Sequence, residues 1–213
     1  MPRKTGEKET AEARVHHHLR QFLKYKIGVS GAAETGHCAP DVIQKSEMMG
    51  RLIAEHGLIL VTGATVGVPY WTAKGAKEAG GFVVGLSPAA SEAAHLKTYH
   101  LPVDYHDIII YTGFDYSGRN LLLTRASDGV VTICGRMGTL NEFTIAFEDQ
   151  KPLGVLLKTG GIADELENIT KIGRRGSSNI IFDEAPEALL DQLIVMITKR
   201  KNLLFTPEAF EPR

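Results

Sequence analysis

Gly129-Val130-Val131-Thr132-Ile133 runs directly into Cys134-Gly135-Arg136-Met137-Gly138-Thr139-Leu140-Asn141-Glu142, and this stretch decides the fold. Its first five residues are an apolar, β-branched run of the kind found in strands buried on both faces. The glycine-containing loop behind them leads into a helical pattern over residues 140–148. In an open parallel sheet, such a loop offers free backbone N–H groups and the positive end of a helix dipole to an anion.

The same order of strand, loop and helix recurs outward from this stretch. A first strand over 25–30 passes through Gly31-Ala32-Ala33-Glu34-Thr35-Gly36 into a helix over 39–56, with Pro40 in its first turn and Gly57 as its stop. An apolar strand over 58–62 passes through Gly63-Ala64-Thr65-Val66-Gly67 into a helix over 69–79. Strands follow over 82–86, 107–111, 152–157 and 179–182, and helices over 119–127, 162–171 and 186–200. The stretch 87–102 reads as irregular. This alternation predicts an α/β fold, a Rossmann-like doubly wound parallel sheet with helices on both faces, in a single domain. Residues 25–213 are assigned to that nucleotide-binding domain, and residues 1–24 to a flexible or helical N-terminal arm containing His16-His17-His18.

The bulk numbers fit one domain and exclude several classes. The chain has 213 residues, 43% of them hydrophobic, and a formal net charge of -1. Such a balance lacks the basic footprint of a nucleic-acid or membrane-surface binder. No apolar run reaches the ~20 residues of a membrane span, and the charged amino terminus is not a signal peptide. The only cysteines are Cys38 and Cys134, which is too few for a disulfide framework. A cytoplasmic, reducing setting is the expectation.

Two familiar phosphate loops fail. Gly31 to Gly36 has the glycine spacing of a P-loop, but His37 and Cys38 stand where Lys and Ser or Thr are needed. A dinucleotide enzyme needs G-x-G-x-x-G and an acid at the end of the second strand, and neither is present. Three loops remain at strand carboxyl ends, each able to point N–H groups at a phosphate. The phosphate or nucleotide site is therefore placed at Ser30, Gly31, Thr35, Gly36, Gly63, Gly67, Asn120, Gly135, Arg136, Met137, Gly138 and Thr139. His37, Cys38 and Cys134 lack paired metal spacing, so no metal is expected. Tyr70 and Trp71 suit helix-to-sheet packing better than base stacking.

These residues carry a resemblance. The chain resembles the "lonely guy" cytokinin-activating phosphoribohydrolases, once described as lysine decarboxylase-like, and the related molybdenum-cofactor carrier proteins, over about residues 25–200. The hydrolases carry Pro-Gly-Gly-x-Gly-Thr-x-x-Glu, matched by Cys134 to Glu142, and an arginine early in the preceding helix, matched by Arg119. The resemblance implies two possible activities. One is hydrolysis of a nucleoside 5′-monophosphate, with Arg119 and Glu142 as catalytic residues, the carboxylate stabilising an oxocarbenium-like transition state. The other is a non-catalytic nucleotide or molybdenum-cofactor carrier. No cofactor is required, a phosphorylated small ligand is the expected partner, and a homodimer or higher homo-oligomer is implied. The chain departs from the hydrolases at Arg136, where they keep glycine, and at Tyr116-Ser117-Gly118-Arg119-Asn120, which looks more like the carriers. Glu142 also has a second reading. Thr139-Leu140-Asn141-Glu142 has the spacing of a capping box, which would make the glutamate structural. Arg119 has a second reading as a partner of Asp115 or Asp128, although its place at a helix start facing the crevice favours ligand contact.

Overall fold

Seven parallel strands form the single sheet of this computed structural model, which describes residues 24–174 and 176–204. The strands are β1 (Lys26–Gly31), β2 (Ile59–Thr62), β3 (Phe82–Ser87), β4 (Ile108–Tyr111), β5 (Gly129–Ile133), β6 (Leu153–Leu156) and β7 (Ile180–Asp183). The helices are α1 (Val42–Glu55), α2 (Val68–Glu78), α3 (Glu92–Lys97), α4 (Asp115–Ala126), α5 (Met137–Glu148), α6 (Leu166–Gly173) and α7 (Pro186–Leu204), with a 3-10 turn over Gly161–Glu165. The fold is Rossmann-like, as the sequence predicts.

The strand order is β4-β3-β2-β1-β5-β6-β7. The chain builds outward from β1 to β4, then crosses back and lays β5 against the free edge of β1. Gly31 stands opposite Ile133 in that pairing. Strand order therefore reverses between β1 and β5, and the loops leaving their carboxyl ends diverge to opposite faces. That divergence opens a crevice, the usual ligand position in open α/β sheets.

Burial on the two faces holds the layers together. Met49 and Ile53 of α1, Val68 and Ala73 of α2, and Leu189 and Leu193 of α7 pack on one face against Ile27, Leu60 and Val131. Phe143 and Ala146 of α5, with Ala163 and Leu166, cover Val130, Leu153 and Val155 on the other. Leu123 of α4 packs on Val61 and Leu86.

Several boundaries differ from the sequence reading. α4 begins at Asp115 rather than Arg119, so Arg119 lies in its second turn. α5 begins at Met137, a turn earlier than the apolar pattern implies. The short helix α3 occupies part of the stretch read as irregular, and the Ser91 side chain caps it by accepting from the Ala94 N–H at 3.2 Å. The first 23 residues, with the arm and His16 to His18, lie outside the described residues. Among the described residues no helix is long and apolar enough to cross a membrane.

Candidate ligand-binding site

A cleft of about 190 Å³ opens at the β1/β5 crevice. It is lined by Ser30 and Gly31 at the end of β1, by Gly63 and Thr65 behind β2, by Tyr116, Arg119 and Asn120 of α4, and by Arg136, Gly138, Thr139 and Glu142 around the start of α5. Helices α4 and α5 lie side by side on one face, which brings Arg119 and Glu142 together.

Glu142 is the centre of the polar network. Arg119 Nη1 donates to Glu142 Oε1 at 3.2 Å, and both side chains are more than nine-tenths buried. Ser30 Oγ donates a hydrogen bond to Glu142 Oε2. The Asn120 amide turns its nitrogen toward two acceptors, Glu142 Oε1 and the Tyr116 carbonyl, both at 2.9 Å. Burial pushes the Glu142 carboxyl above its usual range, and Arg119 and Ser30 only partly offset this. Arg119 Nε is also buried and has no protein partner among the described residues.

Gly63 makes room for this arrangement. A Cβ at Gly63 would lie 2.0 Å from Arg119 Nη1. The loop carrying Gly63 is fixed by Thr62, whose Oγ1 accepts from the Ala64 N–H at 3.1 Å. Thr62 Oγ1 also meets His106 Nε2 at 2.9 Å, while His106 Nδ1 donates to the Asp104 carbonyl at 2.7 Å. His106 is therefore a neutral acceptor toward Thr62, and burial lowers its pKa.

The two structural alternatives for these residues fail. α5 is capped by extended Arg136 without a side-chain hydrogen bond, so Thr139 and Glu142 form no capping box. The helix starts earlier than that motif requires, and Glu142 lies a turn inside it with its oxygens facing Ser30 and Arg119. Arg119 pairs with Glu142, not with Asp115 or Asp128.

The three predicted loops are not equivalent. Leu140 makes the first bond of the α5 ladder, to the Arg136 carbonyl, which leaves the N–H groups of Met137, Gly138 and Thr139 ahead of it without intrahelical acceptors. Gly138 and Thr139 line the cleft. The start of α2 is closed instead, because the Val68 N–H donates to the Ala32 carbonyl at 2.8 Å. Gly67 backs onto that carbonyl and lies outside the cleft. Thr35 and Gly36 form a turn leading to Cys38, also outside it. Met137 points to solvent, at 74% exposure. Gly135 sits behind the wall at φ +97°, its carbonyl accepting from the Ile162 N–H. Arg136 reaches the rim and pairs with Glu34 at 3.1 Å. Tyr116 and Thr65 are lining residues the sequence reading did not select, although Tyr116 stands one helical turn from Arg119. Tyr70 packs edge-on against Trp71 and Tyr105 rather than lining the cleft.

The cysteines are a correction. The sequence gives no cue to pairing, yet Cys38 and Cys134 are joined in a disulfide across 96 positions. Their loops meet because β1 and β5 are neighbours. His37 stands beside the bond, its Nε2 3.7 Å from Cys134 Sγ.

An open parallel sheet with a cleft at its switch point, a buried Arg–Glu pair and an exposed helix amino end defines a Rossmann-like α/β protein. The chain belongs to the SLOG cluster4 family, whose model, LDcluster4, matches residues 24–190. It is 36% identical over 107 residues to the cytokinin riboside 5′-monophosphate phosphoribohydrolase of Rhodococcoides fascians, covering 47% of this chain and 48% of that one. Its fold matches the molybdenum cofactor binding protein of Rippkaea orientalis with a TM-score of 0.68 and 29% identity, covering 83% of this chain and 99% of that one. It matches the molybdenum cofactor carrier protein of Chlamydomonas reinhardtii with a TM-score of 0.64 and 30% identity, covering 81% and 99%.

Proposed function

We propose that this protein is a carrier-type binder of a phosphate-bearing small ligand, a nucleotide or a pterin-type molybdenum cofactor. The phosphate would meet the amino end of α5 and the Arg119 guanidinium. One observation carries the reading: the cleft joins N–H groups that have no intrahelical acceptor to a buried arginine whose Nε lacks a partner among the described residues. Two relatives covered almost end to end are a molybdenum cofactor binding protein and a molybdenum cofactor carrier protein, whereas the hydrolase is matched over about half its length. The Glu142 carboxylate is already engaged by Ser30, Arg119 and Asn120, which suits an anchor more than a free catalytic group.

Hydrolysis of a nucleoside 5′-monophosphate is the second reading, and Glu142 favours it. Its carboxylate lines the cleft beside an arginine, where negative charge would stabilise an oxocarbenium-like sugar. Calorimetric titration with AMP, paired with chromatographic assay for free adenine, separates the two. Binding without adenine, lost in Arg119→Ala, supports the carrier reading. Adenine release that disappears in Glu142→Gln replaces it with the hydrolase.

A further inference from the structure

We propose that the dithiol form of this protein holds one thiophilic divalent cation, of the zinc class, on His37 Nε2, Cys38 Sγ and Cys134 Sγ. This site goes beyond the cleft reading and does not depend on it. The three donor atoms lie within 4.8 Å of one another, although two come from the β1–α1 loop and one from the β5–α5 loop. Two thiolates and an imidazole are the donor set of a Cys₂His zinc site with a fourth position open.

The donor atoms already stand close to zinc-ligand separations in the disulfide form. Around a tetrahedral zinc with ordinary bond lengths, sulfur and nitrogen ligands stand about 3.6 Å apart and two sulfurs about 3.8 Å. In the disulfide form His37 Nε2 stands 3.7 Å from Cys134 Sγ and 3.4 Å from the Gly135 carbonyl oxygen, so metal binding would exchange that carbonyl contact for a ligand bond. The Cys38 sulfur must swing away from its partner, and Cys38 is half-buried while Cys134 is fully buried. His37 is exposed, which leaves the open position to solvent.

The backbone keeps the thiols adjacent after the disulfide is cleaved. The Ala39 N–H donates to the Thr159 carbonyl at 2.9 Å, and the Cys134 N–H donates to Thr159 Oγ1 at 2.8 Å. The Ala163 N–H donates to the Cys134 carbonyl at 3.0 Å, and Cys38 bridges to Gly160. Thr159 thus clasps both cysteine-bearing loops without help from sulfur.

The chemistry balances with one reductant. A dithiol gives two electrons and its two protons to the disulfide sulfurs and leaves as its own disulfide; a phosphine gives two electrons, takes its oxide oxygen from water, and the two protons of that water convert the sulfurs to thiols. Metal binding then displaces the two thiol protons, and neutral His37 donates its Nε2 lone pair.

Phosphine-reduced and oxidised full-length protein would be titrated anaerobically with Co²⁺, followed by displacement with Zn²⁺. The reduced protein should show thiolate-to-cobalt charge transfer and tetrahedral d–d bands saturating at one ion per chain, and the oxidised protein neither. Cys38→Ser and Cys134→Ser should abolish the charge-transfer signal with far-ultraviolet circular dichroism retained. His37→Ala, a surface change, should weaken binding beyond the roughly 10–100-fold typical of losing an outer partner. His16→Ala/His17→Ala/His18→Ala should leave the signal intact. Absence of charge transfer in the reduced protein overturns the proposal, as does undiminished affinity in His37→Ala. AMP titration of the same samples reports the cleft separately, so failure of either reading is recognisable.

Discussion

Arg119→Met tests whether the guanidinium holds a buried carboxylate in its charged form. The substitution keeps most of the apolar stem and removes the charge. At 3.2 Å and an effective dielectric constant near 20, the pair attracts by about 5 kcal/mol. Desolvation offsets part of that, and breaking a buried pair costs roughly 3–5 kcal/mol when one charge is stranded. Here the stranded group has an escape, because Glu142 takes up a proton. Its pKa is already raised by burial against the pull of Arg119, and removing the arginine raises it further. A carboxyl raised on folding contributes stability below its unfolded pKa and loses it as pH rises through the folded pKa. The variant should therefore approach wild type below the folded pKa of wild-type Glu142 and fall behind by up to about 1.4 kcal/mol per pH unit above it. The deficit should reach about 3 kcal/mol in mildly alkaline buffer, a fall of roughly 6–12 °C in Tm. Urea unfolding across about pH 5 to 8.5, with the disulfide intact, measures it. Arg119→Met/Glu142→Gln should recover much of the loss. Parallel pH profiles for wild type and Arg119→Met, or a deficit below about 1 kcal/mol at the alkaline end, would refute the reasoning.

Three further outcomes are expected. Gly63→Ala places a methyl group 2.0 Å from Arg119 Nη1, so it should displace the guanidinium and weaken AMP binding at least as much as it lowers stability, read by calorimetry and thermal melting. Reducing the Cys38–Cys134 bond frees a loop closed across 96 positions, and Tm should fall by an amount corresponding to about 2–4 kcal/mol, with Cys38→Ser showing the same loss and no further response to reductant. His106 has a pKa lowered by burial, so the stability it contributes is present above its unfolded pKa near 6.5 and is lost as pH falls through the lower folded value. His106→Gln should flatten the wild-type decline on that acidic limb, measured by urea unfolding.

The sheet was legible because parallel strands buried on both faces are unbroken apolar runs, as Val130, Val131 and Ile133 show. The same signal misleads at the sheet edge. Ile108 and Ile110 in β4 are each 49% exposed, although their run looks as buried as β5. The pairing of Arg119 with Glu142 was legible only by resemblance, and the local spacing from Thr139 to Glu142 pointed to a cap instead. That spacing fails because helix starts are set by the first free N–H groups, and Met137 and Gly138 already satisfy helical geometry ahead of Thr139. The Cys38–Cys134 bond was not legible at all. It depends on β5 returning to the edge of β1, and strand order is a property of the whole chain that no local pattern encodes.

The state of Glu142 connects these observations to the choice between carrying and cleaving. A phosphate arriving at the α5 amino end competes with Glu142 for the donors of Arg119 and brings negative charge toward a carboxyl whose pKa is already raised. Both effects favour protonation. A binder loses nothing by this, because a neutral carboxyl beside Ser30 and Asn120 keeps its hydrogen bonds and no longer repels the ligand. A hydrolase needs the opposite, since only the anion stabilises a developing oxocarbenium ion. Ligand binding should therefore be accompanied by proton uptake if the protein is a carrier, and by none if Glu142 stays charged for catalysis. Calorimetric titration of AMP in buffers of differing ionisation enthalpy reads that proton directly. Glu142→Gln gives the control, because it should abolish the proton and leave AMP affinity within about tenfold if the group serves only as a neutral hydrogen-bonding anchor.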